Sequence, residues 1–320
     1  MSLLVVGSVA YDTIETHSER RNDVLGGSAS YFSIASSYFT EVKLIAIVGN
    51  DFKEQDIDMF NSHAIDLSGL EIKSGKTFRW SGVYGKDVNN RETLRTDLNV
   101  FSDFSPKLGL SHIESPYLFL ANIDPQLQLD VLTQMKKRPR LTALDTMNFW
   151  IESSKASLIK VIREVDILFI DATELLSLTG ETNIIRAARQ IQNMGPAIVV
   201  VKKGEYGATL FNEDSIFIAP AYPIDNVIDP TGAGDSFAGG FMGVLAANEG
   251  KIDDINLRRA TIIGSLMGAY AVQNFSVHGL DALKLADVTA RYNQLWAMSK
   301  FGPIEESDSF PSVNSGIVTK

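Results

Sequence analysis

Residues 229–243 read DPTGAGDSFAGGFMG, a stretch that begins like a turn and continues like a buried helix. Each glycine inside a helix costs roughly 1 kcal/mol relative to alanine. A sequence that accepts this cost repeatedly indicates that the backbone lies close to another element or to a ligand. The stretch therefore predicts a closely packed helix whose first turn, near Gly232, is a candidate binding site.

The first turn of this predicted helix has the chemistry of an anion site. Successive amide N–H groups from Gly232 to Asp235 lie at the positive end of the helix dipole, where they can bind anionic oxygens. A carboxylate would repel a resting anion, so Asp235 needs a role of its own. If the anion is a phosphoryl group in transfer, Asp235 can take the proton of the attacking hydroxyl while the amides stabilise the developing charge. A simple helix cap is the alternative role.

The rest of the chain alternates between apolar runs and helical patterns. The runs are continuous in apolar residues, which is typical of parallel strands covered on both faces. They lie at 3–9, 44–48, 117–123, 141–144, 167–170 and 198–201, and the helical patterns at 126–137, 153–163, 183–193, 252–274 and 282–300. This rhythm predicts an α/β fold with a three-layer α/β/α, doubly wound, mostly parallel sheet.

One segment breaks the rhythm. Residues 76–85 and 91–99 are strand-like but polar, and turn-forming residues join them. They predict an antiparallel hairpin outside the main sheet. The hairpin is either a surface meander or a lid that closes over a site or pairs with a second subunit.

Composition narrows the classes of function. Twenty-nine Lys and Arg against thirty-nine Asp and Glu give a net charge of -10, which disfavours nucleic acid and anionic membranes as partners. The absence of cysteine excludes disulfides, thiolate nucleophiles and Cys-ligated metals, and the four histidines are scattered. Because no signal peptide or membrane-spanning pattern is visible, a cytoplasmic protein is expected.

The stretch DPTGAGDSFAGGF resembles the second signature of the ribokinase-like, or PfkB, carbohydrate kinases. The resemblance extends over nearly the whole chain, through GSVAYD at 7–12, GGSASYF at 26–32 and VGNDF at 48–52. It implies a kinase domain over residues 1–300 with a small antiparallel β lid at about 75–100, followed by an extended tail at 301–320.

The resemblance also implies a reaction. A member of this family would transfer the γ-phosphoryl group of ATP, with Mg²⁺, to an alcohol hydroxyl of a sugar or sugar-like molecule. Asp235 would be the catalytic base, and the amides around Gly232, Ala233 and Gly234 would form the anion hole.

Four residues are candidates for binding the acceptor. Asp12 follows the first apolar run, and a carboxylate at the C-terminal end of a parallel strand faces the ligand crevice of such a sheet; a solvated turn residue is the alternative. Gly26 and Gly27 match the family's first signature, where glycine lets sugar hydroxyls approach the main chain. Tyr31 stands where the family usually has asparagine, and its ring could stack on a sugar or nucleobase or simply fill space.

The residues expected to bind the nucleotide are assigned by resemblance to the same family. Lys203, Gly204 and Gly207 follow the apolar run 198–201 and are similar to the family's nucleotide-side turn, and Thr231 is placed in the same ATP site.

The metal would be ordered by a second acidic motif. Asp171-Ala172-Thr173-Glu174 is similar to the family's NxxE motif, with Asp171 in place of asparagine. Carboxylate oxygens suit Mg²⁺, which usually keeps several waters, so Glu174 is expected to order a hydrated metal. Asp171 also suits a helix N-cap. The turn DTMN at 145–148 is open between a site role and a plain strand-end turn.

Alternatives remain for the acceptor and for activity. Nucleoside kinases belong to the same family, and Tyr31, Phe32 or Trp80 could stack on a base. Because Tyr31 and Asp171 replace asparagines, a ligand-binding homologue without turnover is a further interpretation.

Three arginines of the predicted lid are candidates for contacts outside the hairpin. Arg79, Arg91 and Arg95 on the predicted hairpin are candidates to contact substrate or a neighbouring subunit, and a homodimer through the lid is implied by the resemblance.

Overall fold

The computed structural model describes residues 2–17, 19–85, 91–213 and 215–302. In chain order the strands are β1 Ser2–Val6, β2 Ala10–Glu15, β3 Arg20–Gly26, β4 Glu41–Gly49, β5 Asp66–Lys73, β6 Phe78–Tyr84, β7 Arg91–Asp97, β8 Tyr117–Leu120, β9 Leu141–Asp145, β10 Ile167–Asp171, β11 Ile198–Lys202, β12 Ala208–Asn212 and β13 Ser215–Ala219. The helices are α1 Ser28–Ser37, α2 Glu54–Ser62, α3 Pro125–Gln134, α4 Asn148–Ser153, α5 Lys155–Glu164, α6 Ala172–Thr179, α7 Ile184–Gln192, α8 Ala233–Ala247, α9 Asp254–Ala271, α10 His278–Asp281 and α11 Leu285–Ser299.

Nine strands form the main sheet in the order β13-β12-β11-β10-β9-β8-β1-β4-β5. Every neighbouring pair from β11 to β5 is parallel, and β12 and β13 add an antiparallel edge. Both faces are covered, because Leu3 of β1 belongs to a buried cluster with α1, α8 and α9, whereas Leu4 belongs to one with α3, α5 and α7. The predicted three-layer, mostly parallel architecture is confirmed.

A second, four-stranded sheet, here called the lid sheet, has the order β3-β2-β6-β7. The predicted hairpin is its antiparallel pair β6 and β7, and the joining residues 86–90 lie outside the described residues. The sheet is larger than predicted because the segment from Ala10 to Gly26 supplies the antiparallel pair β2 and β3. At the centre of the sheet, β2 and β6 run parallel.

The lid sheet corrects the predicted position of Asp12. The first apolar run was expected to be one strand that ends beside this residue. Instead β1 stops at Val6, and Asp12 is the third residue of β2. The apolar character of the run continues because Val9 and Ala10 are buried where the chain passes from one sheet to the other.

The glycines of α8 allow close helix packing. A Cβ on Gly239 would lie 2.5 Å from the carbonyl oxygen of Phe32 in α1, and one on Gly240 would lie 2.6 Å from the side chain of Met267 in α9. The backbone therefore does approach other elements, as the sequence predicted. Phe32 itself stacks on Phe119 in the core, with ring centroids 3.8 Å apart, so it does not offer a face to a ligand.

Helix α11 ends at Ser299, and residues 303–320 of the expected tail lie outside the described residues. The division into a domain at 1–300 and a tail stays a prediction. Within the described ranges, we find no helix of the length and apolarity that a membrane crossing requires.

Candidate active site

Three neighbouring parallel strands of the main sheet end in charged residues. Asp145 is the last residue of β9, Asp171 of β10 and Lys202 of β11. Because the carboxyl ends of parallel strands meet at one edge of a sheet, these side chains share the usual ligand crevice of α/β folds. The N-terminus of α8 reaches the same edge, since a Cβ on Gly234 would lie 3.0 Å from Lys202 Nζ.

The turn that leads into α8 is held by a buried carboxylate. Asp229, only 1% exposed, accepts hydrogen bonds from the Thr231 N–H at 2.9 Å and from the Ser276 N–H at 3.1 Å. Gly232 then caps the helix with φ at 74°, a left-handed conformation that favours glycine. In the first turn the Ala233 N–H donates to the Pro230 carbonyl oxygen at 3.4 Å. The N–H groups of Gly234 and Asp235 have no backbone acceptor among the described residues and are available to an anion.

Tyr31 joins the two glycine-rich segments. Its ring lies against Gly232, where a Cβ would come within 2.3 Å of the ring carbons. The side chain is 1% exposed, so the ring fills space and is not available for stacking on a base. Among the described residues its hydroxyl has no hydrogen-bond partner. Burial and the nearby Asp229 and Asp12 raise the pKa of Tyr31, which keeps the phenol protonated.

Asp235 lies in the first turn of α8 and is half-buried. Burial raises its pKa to about 8, the charge of Asp145 adds to the rise, and Lys202 and Arg91 oppose it. A carboxylate with a pKa near the working pH can accept a proton from an alcohol in the transition state. The geometry therefore suits a base beside an anion site, which is more than a helix cap requires.

Lys202 and Asp145 form a buried ion pair beside Asp235. The Lys202 Nζ donates to the two carboxylate oxygens of Asp145 at 2.7 Å and 3.0 Å. Burial lowers the pKa of Lys202, but the charges of Asp145 and Glu174 outweigh it and the net shift is upward. The side chain is thus an ammonium ion. Sequence reasoning left the role of Asp145 open and gave Lys202 no role of its own beyond opening the turn that resemblance assigns to the nucleotide side.

Asp171 and Glu174 form a capping box at the start of α6. The Asp171 carboxylate accepts from the Thr173 N–H at 2.7 Å, and Glu174 accepts from the Asp171 N–H at 2.9 Å. Asp171 is therefore a helix N-cap, the role that the sequence allowed beside metal binding. Burial raises the pKa of Glu174 to about 7, with Lys202 opposing and Asp145 adding to the rise.

These carboxylates fit a hydrated metal better than a directly ligated one. Across residues 2–17, 19–85, 91–213 and 215–302, no three acidic or histidine side chains are arranged to hold a metal ion. Mg²⁺ is usually held by one or two carboxylates together with substrate phosphates and waters. Glu174, half-buried in the first turn of α6, stays a predicted outer contact of the metal.

Asp12 faces the same crevice from the lid sheet. It is 4% exposed, and its carboxylate occupies the space beside Gly26, where a Cβ would lie 1.9 Å from one oxygen. Burial and Asp229 raise its pKa to about 7, while the Gly27 backbone and Arg91 oppose the rise. Gly27 has φ at 90°, and a Cβ there would meet the Ser8 carbonyl oxygen at 2.5 Å. Gly26 is thus required by packing against Asp12, and Gly27 by its left-handed backbone and by packing against Ser8.

The inner face of the lid sheet carries an aromatic cluster. Trp80 lies directly across from Asp12 in the pairing of β2 with β6, so the two side chains share a face. Its ring covers Gly82, where a Cβ would lie 2.1 Å away, and its Nε1 donates to Thr93 at 3.3 Å. Around it pack other apolar side chains of the lid sheet and the loops beneath, namely Ile14, Val24, Tyr84, Ile228 and Phe275.

Of the three lid arginines, Arg91 has an electrostatic effect on the carboxylates of the site. The guanidinium of Arg91 lies 5.2 Å from the Trp80 ring centroid, and its charge lowers the pKa values of both Asp12 and Asp235. Arg79 instead pairs with Asp51 and Asp23 at 2.9 Å and 3.1 Å, and Arg95 pairs with Asp97 at 2.8 Å.

The predicted nucleotide-side residues lie next to Lys202. Lys203 donates its N–H to the Gly207 carbonyl at 2.8 Å across a single 3-10 turn that starts at Gly204. A Cβ on Gly207 would come within 2.1 Å of the Ala219 carbonyl oxygen, so packing alone requires that glycine.

Thr231 contacts the lid sheet. Its hydroxyl lies 3.1 Å from the Tyr84 hydroxyl of β6. The expected contacts of Thr231 and of the turn after Lys202 with ATP remain predictions.

The chain is similar in sequence to known kinases. Residues 2–280 match the pfkB family of carbohydrate kinases. A cytidine kinase of Thermococcus kodakarensis is 30% identical over 251 residues, which cover 76% of this chain and 87% of that protein.

Two solved structures share the fold. The nucleoside kinase of Methanocaldococcus jannaschii, an archaeal member of the ribokinase family, superposes with a TM-score of 0.72 at 20% identity, over 92% of this chain and 98% of that one. The fructokinase of Vibrio cholerae bound to fructose, ADP and a calcium ion gives a TM-score of 0.74 at 19% identity, over 91% and 98%. The chain therefore belongs to the pfkB family of carbohydrate kinases, phosphotransferases with an alcohol group as acceptor.

Proposed function

We propose that the protein transfers the γ-phosphoryl group of ATP to a hydroxyl of a nucleoside, with a free sugar or sugar-like polyol as the second candidate acceptor. The observation that carries the proposal is the approach of two carboxylates with raised pKa values, the buried Asp12 and the half-buried Asp235, to the N-terminus of α8 beneath an aromatic lid. One carboxylate lies on the lid side and the other on the anion side, as acceptor binding and proton removal require.

The proposed step uses each of these groups. Asp12 and the backbone at Gly26 and Gly27 hold the acceptor. Asp235 takes the proton of the hydroxyl as its oxygen attacks the γ-phosphorus in line. The bond from phosphorus to the β-phosphate oxygen breaks, and its electron pair leaves with ADP. The amides at the start of α8 stabilise the charge on the transferred group. Mg²⁺ bound with the nucleotide would neutralise phosphate charge, with Glu174 as its outer contact.

The lid supports a nucleoside as the acceptor. A sugar presents hydroxyls on most sides, whereas a nucleobase is planar and needs an apolar or aromatic surface. Trp80 shares a face with Asp12, so an acceptor whose ribose hydroxyls reach Asp12 would bring its base toward the Trp80 ring. Similarity to a cytidine kinase points the same way. Trp80 remains the stacking residue among the three expected from the sequence, since Tyr31 and Phe32 are buried.

A sugar acceptor also has support. Asp12 is suited to hydroxyls of any polyol, and the fold is shared with a fructokinase seen with fructose and ADP. The sequence-based preference for a sugar therefore stays as the second arm of the test.

The test is ADP release from ATP and Mg²⁺ with cytidine, uridine, adenosine, inosine, ribose, fructose and myo-inositol, using the wild-type protein and Asp235→Asn. The proposal predicts turnover with at least one nucleoside and loss of that turnover in the variant. Turnover with a sugar alone would move the assignment to the second candidate. No turnover with any acceptor, while ATP still binds, would contradict the kinase proposal and favour a binding protein.

Two further expectations belong to this proposal. A kinase that uses ATP as its phosphoryl donor needs a compartment that contains ATP, and the expected cytoplasmic location meets this need. Pairing of two lid sheets into a homodimer would use the outer strands β3 and β7. Light scattering of the purified protein would test it, and a monomer at micromolar concentration would contradict it.

A further inference from the structure

A surface cavity lies at the edge of the main sheet opposite the candidate active site. Its volume is about 260 Å³, and it lies between the segment before β8 and the loop before β9. Arg140 lines it just before β9 begins at Leu141, whereas Asp145 at the other end of β9 belongs to the active site. Five strand residues at about 3.3 Å each place the two ends of β9 about 16 Å apart. The cavity is therefore separate from the site of the proposed reaction.

The loop on one side of this cavity is strongly basic. Residues 136–140 read KKRPR, so four of the 29 lysines and arginines of the chain lie within five positions. Three of these cations, Lys137, Arg138 and Arg140, line the cavity together with one carboxylate, Glu114. Positive charge concentrated at a concave surface attracts anions. The cavity thus has the opposite sign to the chain as a whole, whose net charge is -10.

Backbone hydrogen bonds hold the basic loop against the opposite wall of the cavity. The Lys136 N–H donates to the Ile113 carbonyl oxygen at 3.1 Å, and the Arg140 N–H donates to the Pro116 carbonyl oxygen at 2.8 Å. Pro139 is buried, and its ring fixes φ. Because the loop is fixed before a ligand arrives, little conformational entropy is lost when one binds.

The cations of the loop differ in what they already contact. Lys136 pairs with Glu114 at 2.6 Å. Arg138 pairs with Asp166 at 2.9 Å through one of the five N–H groups that a guanidinium carries. Lys137 is exposed and forms no ion pair within the ranges that the structure describes. Its ammonium is therefore available to a ligand in the cavity.

The wall also contains a neutral hydrogen-bond donor. Ser115 lines the cavity and is 3% exposed, and its hydroxyl has no partner among the described residues. The large majority of buried polar side-chain atoms have a partner. An oxygen atom of a ligand bound against this wall would supply the acceptor.

The lining residues indicate the chemical class of the ligand. Guanidinium and ammonium groups together are suited to phosphoryl oxygens. None of the seven lining residues is aromatic, so a nucleobase would find no stacking surface. The volume is also below the roughly 300 Å³ at which pockets for larger organic ligands begin.

We propose that this cavity binds a small phosphorylated anion without a base, such as pyrophosphate or a phosphate monoester, through Lys137, Arg138 and Arg140. The phosphoryl oxygens accept hydrogen bonds from these side chains, and no covalent bond changes. The site does not depend on the proposed kinase function, because none of its residues belongs to the active site.

Calorimetry with inorganic pyrophosphate and with glycerol 3-phosphate tests the site. Wild type and Lys137→Glu are compared with Lys160→Glu, which makes the same change of charge at an exposed lysine on α5. For wild type we expect a Kd below about 1 mM for at least one probe. Lys137→Glu should weaken it about tenfold or more and Lys160→Glu by less than about twofold. Binding of pyrophosphate alone would indicate a diphosphate ligand, and binding of glycerol 3-phosphate alone a monoester.

A second titration separates this cavity from the active site. It is run with AMP-PNP, an ATP analogue with a non-hydrolysable γ-phosphoryl group, present in excess. The affinity that depends on Lys137 should stay within about threefold, because the two locations are about 16 Å apart. Loss of that affinity with AMP-PNP would place the probe in the nucleotide site and overturn the proposal.

Two other results would overturn the proposal. One is no binding of either probe to wild type at about 1 mM, and the other is an equal loss in Lys137→Glu and Lys160→Glu, which would show a general effect of charge. Lys137→Arg keeps the charge and should bind within about threefold of wild type. Because Lys137 is exposed, Lys137→Glu should melt within about 2 °C of wild type without a probe, so a loss of affinity is not a loss of folding.

Discussion

Gly232 and Tyr31 are in direct contact, so close that a Cβ on the glycine would come within 2.3 Å of the tyrosine ring. The contact joins α1, which follows the first glycine-rich segment, to the start of α8. The position of the anion-binding turn thus depends on a buried aromatic residue near the acceptor side. Any residue larger than glycine at 232 would displace the turn and the ring together.

Gly232→Ala should reduce both stability and kcat. Gly180 provides a matched control, because it has the same φ of 74° but nothing within 4 Å of an added Cβ. Gly180→Ala should cost about 1 kcal/mol, for the left-handed backbone alone. Gly232→Ala should cost at least about 1 kcal/mol more, because the turn or the ring must also move. Urea unfolding of the two variants checks the difference, and equal losses would contradict the role of the contact.

The pH dependence of kcat/KM should report the buried carboxylates. This parameter follows the ionisation of groups in the free enzyme. The pKa values of Asp235 and Asp12 are raised to about 8 and about 7. Because Asp235 must be ionised to accept a proton, activity should rise with pH through this range. Removing the cation in Lys202→Met should move the rise to higher pH, whereas a profile flat from about pH 5.5 to 9 would argue against Asp235 as the base.

The contribution of the same carboxylates to stability should decrease as pH rises. A raised pKa means that the folded protein holds the proton of Asp235 after the unfolded chain has released it at about pH 4. The contribution of Asp235 to stability is therefore greatest at low pH and decreases until the folded pKa of about 8 is passed. Asp235→Asn should melt higher than wild type, by more at pH 8.5 than at pH 5.5.

Thermal melts of Asp235→Asn at both pH values check this expectation. Asp58→Asn, at an exposed position on α2, serves as the control and should melt like wild type at both. A constant difference between Asp235→Asn and wild type would mean that Asp235 has an ordinary pKa in the folded protein.

Trp80 should discriminate between acceptor classes. Trp80→Ala removes the aromatic surface that shares a face with Asp12. For a nucleoside acceptor we expect kcat/KM to fall about tenfold or more, because base stacking is lost, and for a free sugar by less than about threefold. Trp296→Ala on α11, where the ring is 58% exposed, is the control. Equal losses for both acceptors would indicate that Trp80 only supports the lid sheet.

The sequence predicted the main sheet well because its strands are buried on both faces. Ile198 to Val201, for example, form the continuous apolar run that only such a strand carries. The lid sheet was only half predicted. Strand β3 is mostly exposed and reads as a polar loop, and β2 follows β1 after only three residues, so an apolar run spans the passage between two sheets.

The sequence predicted those parts of the candidate site whose residues are close together in the chain. The glycines around Asp235 and the pair at Gly26 and Gly27 mark places where the backbone approaches something closely. The pairing of Lys202 with Asp145 was not predicted because the two residues are 57 positions apart in the chain, and only the fold brings them together. The same is true of Asp229, whose second hydrogen bond comes from Ser276, 47 residues later.

The most direct test of the account compares chemistry with binding in Asp235→Asn. With the best acceptor from the panel, single-turnover transfer of the γ-phosphoryl group is measured in wild type and variant, together with the affinities for AMP-PNP and for the acceptor. We expect transfer to slow by about 10²- to 10⁴-fold while both affinities stay within about threefold of wild type. A loss of transfer of less than about tenfold would contradict Asp235 as the base, and with it the mechanism proposed for this site.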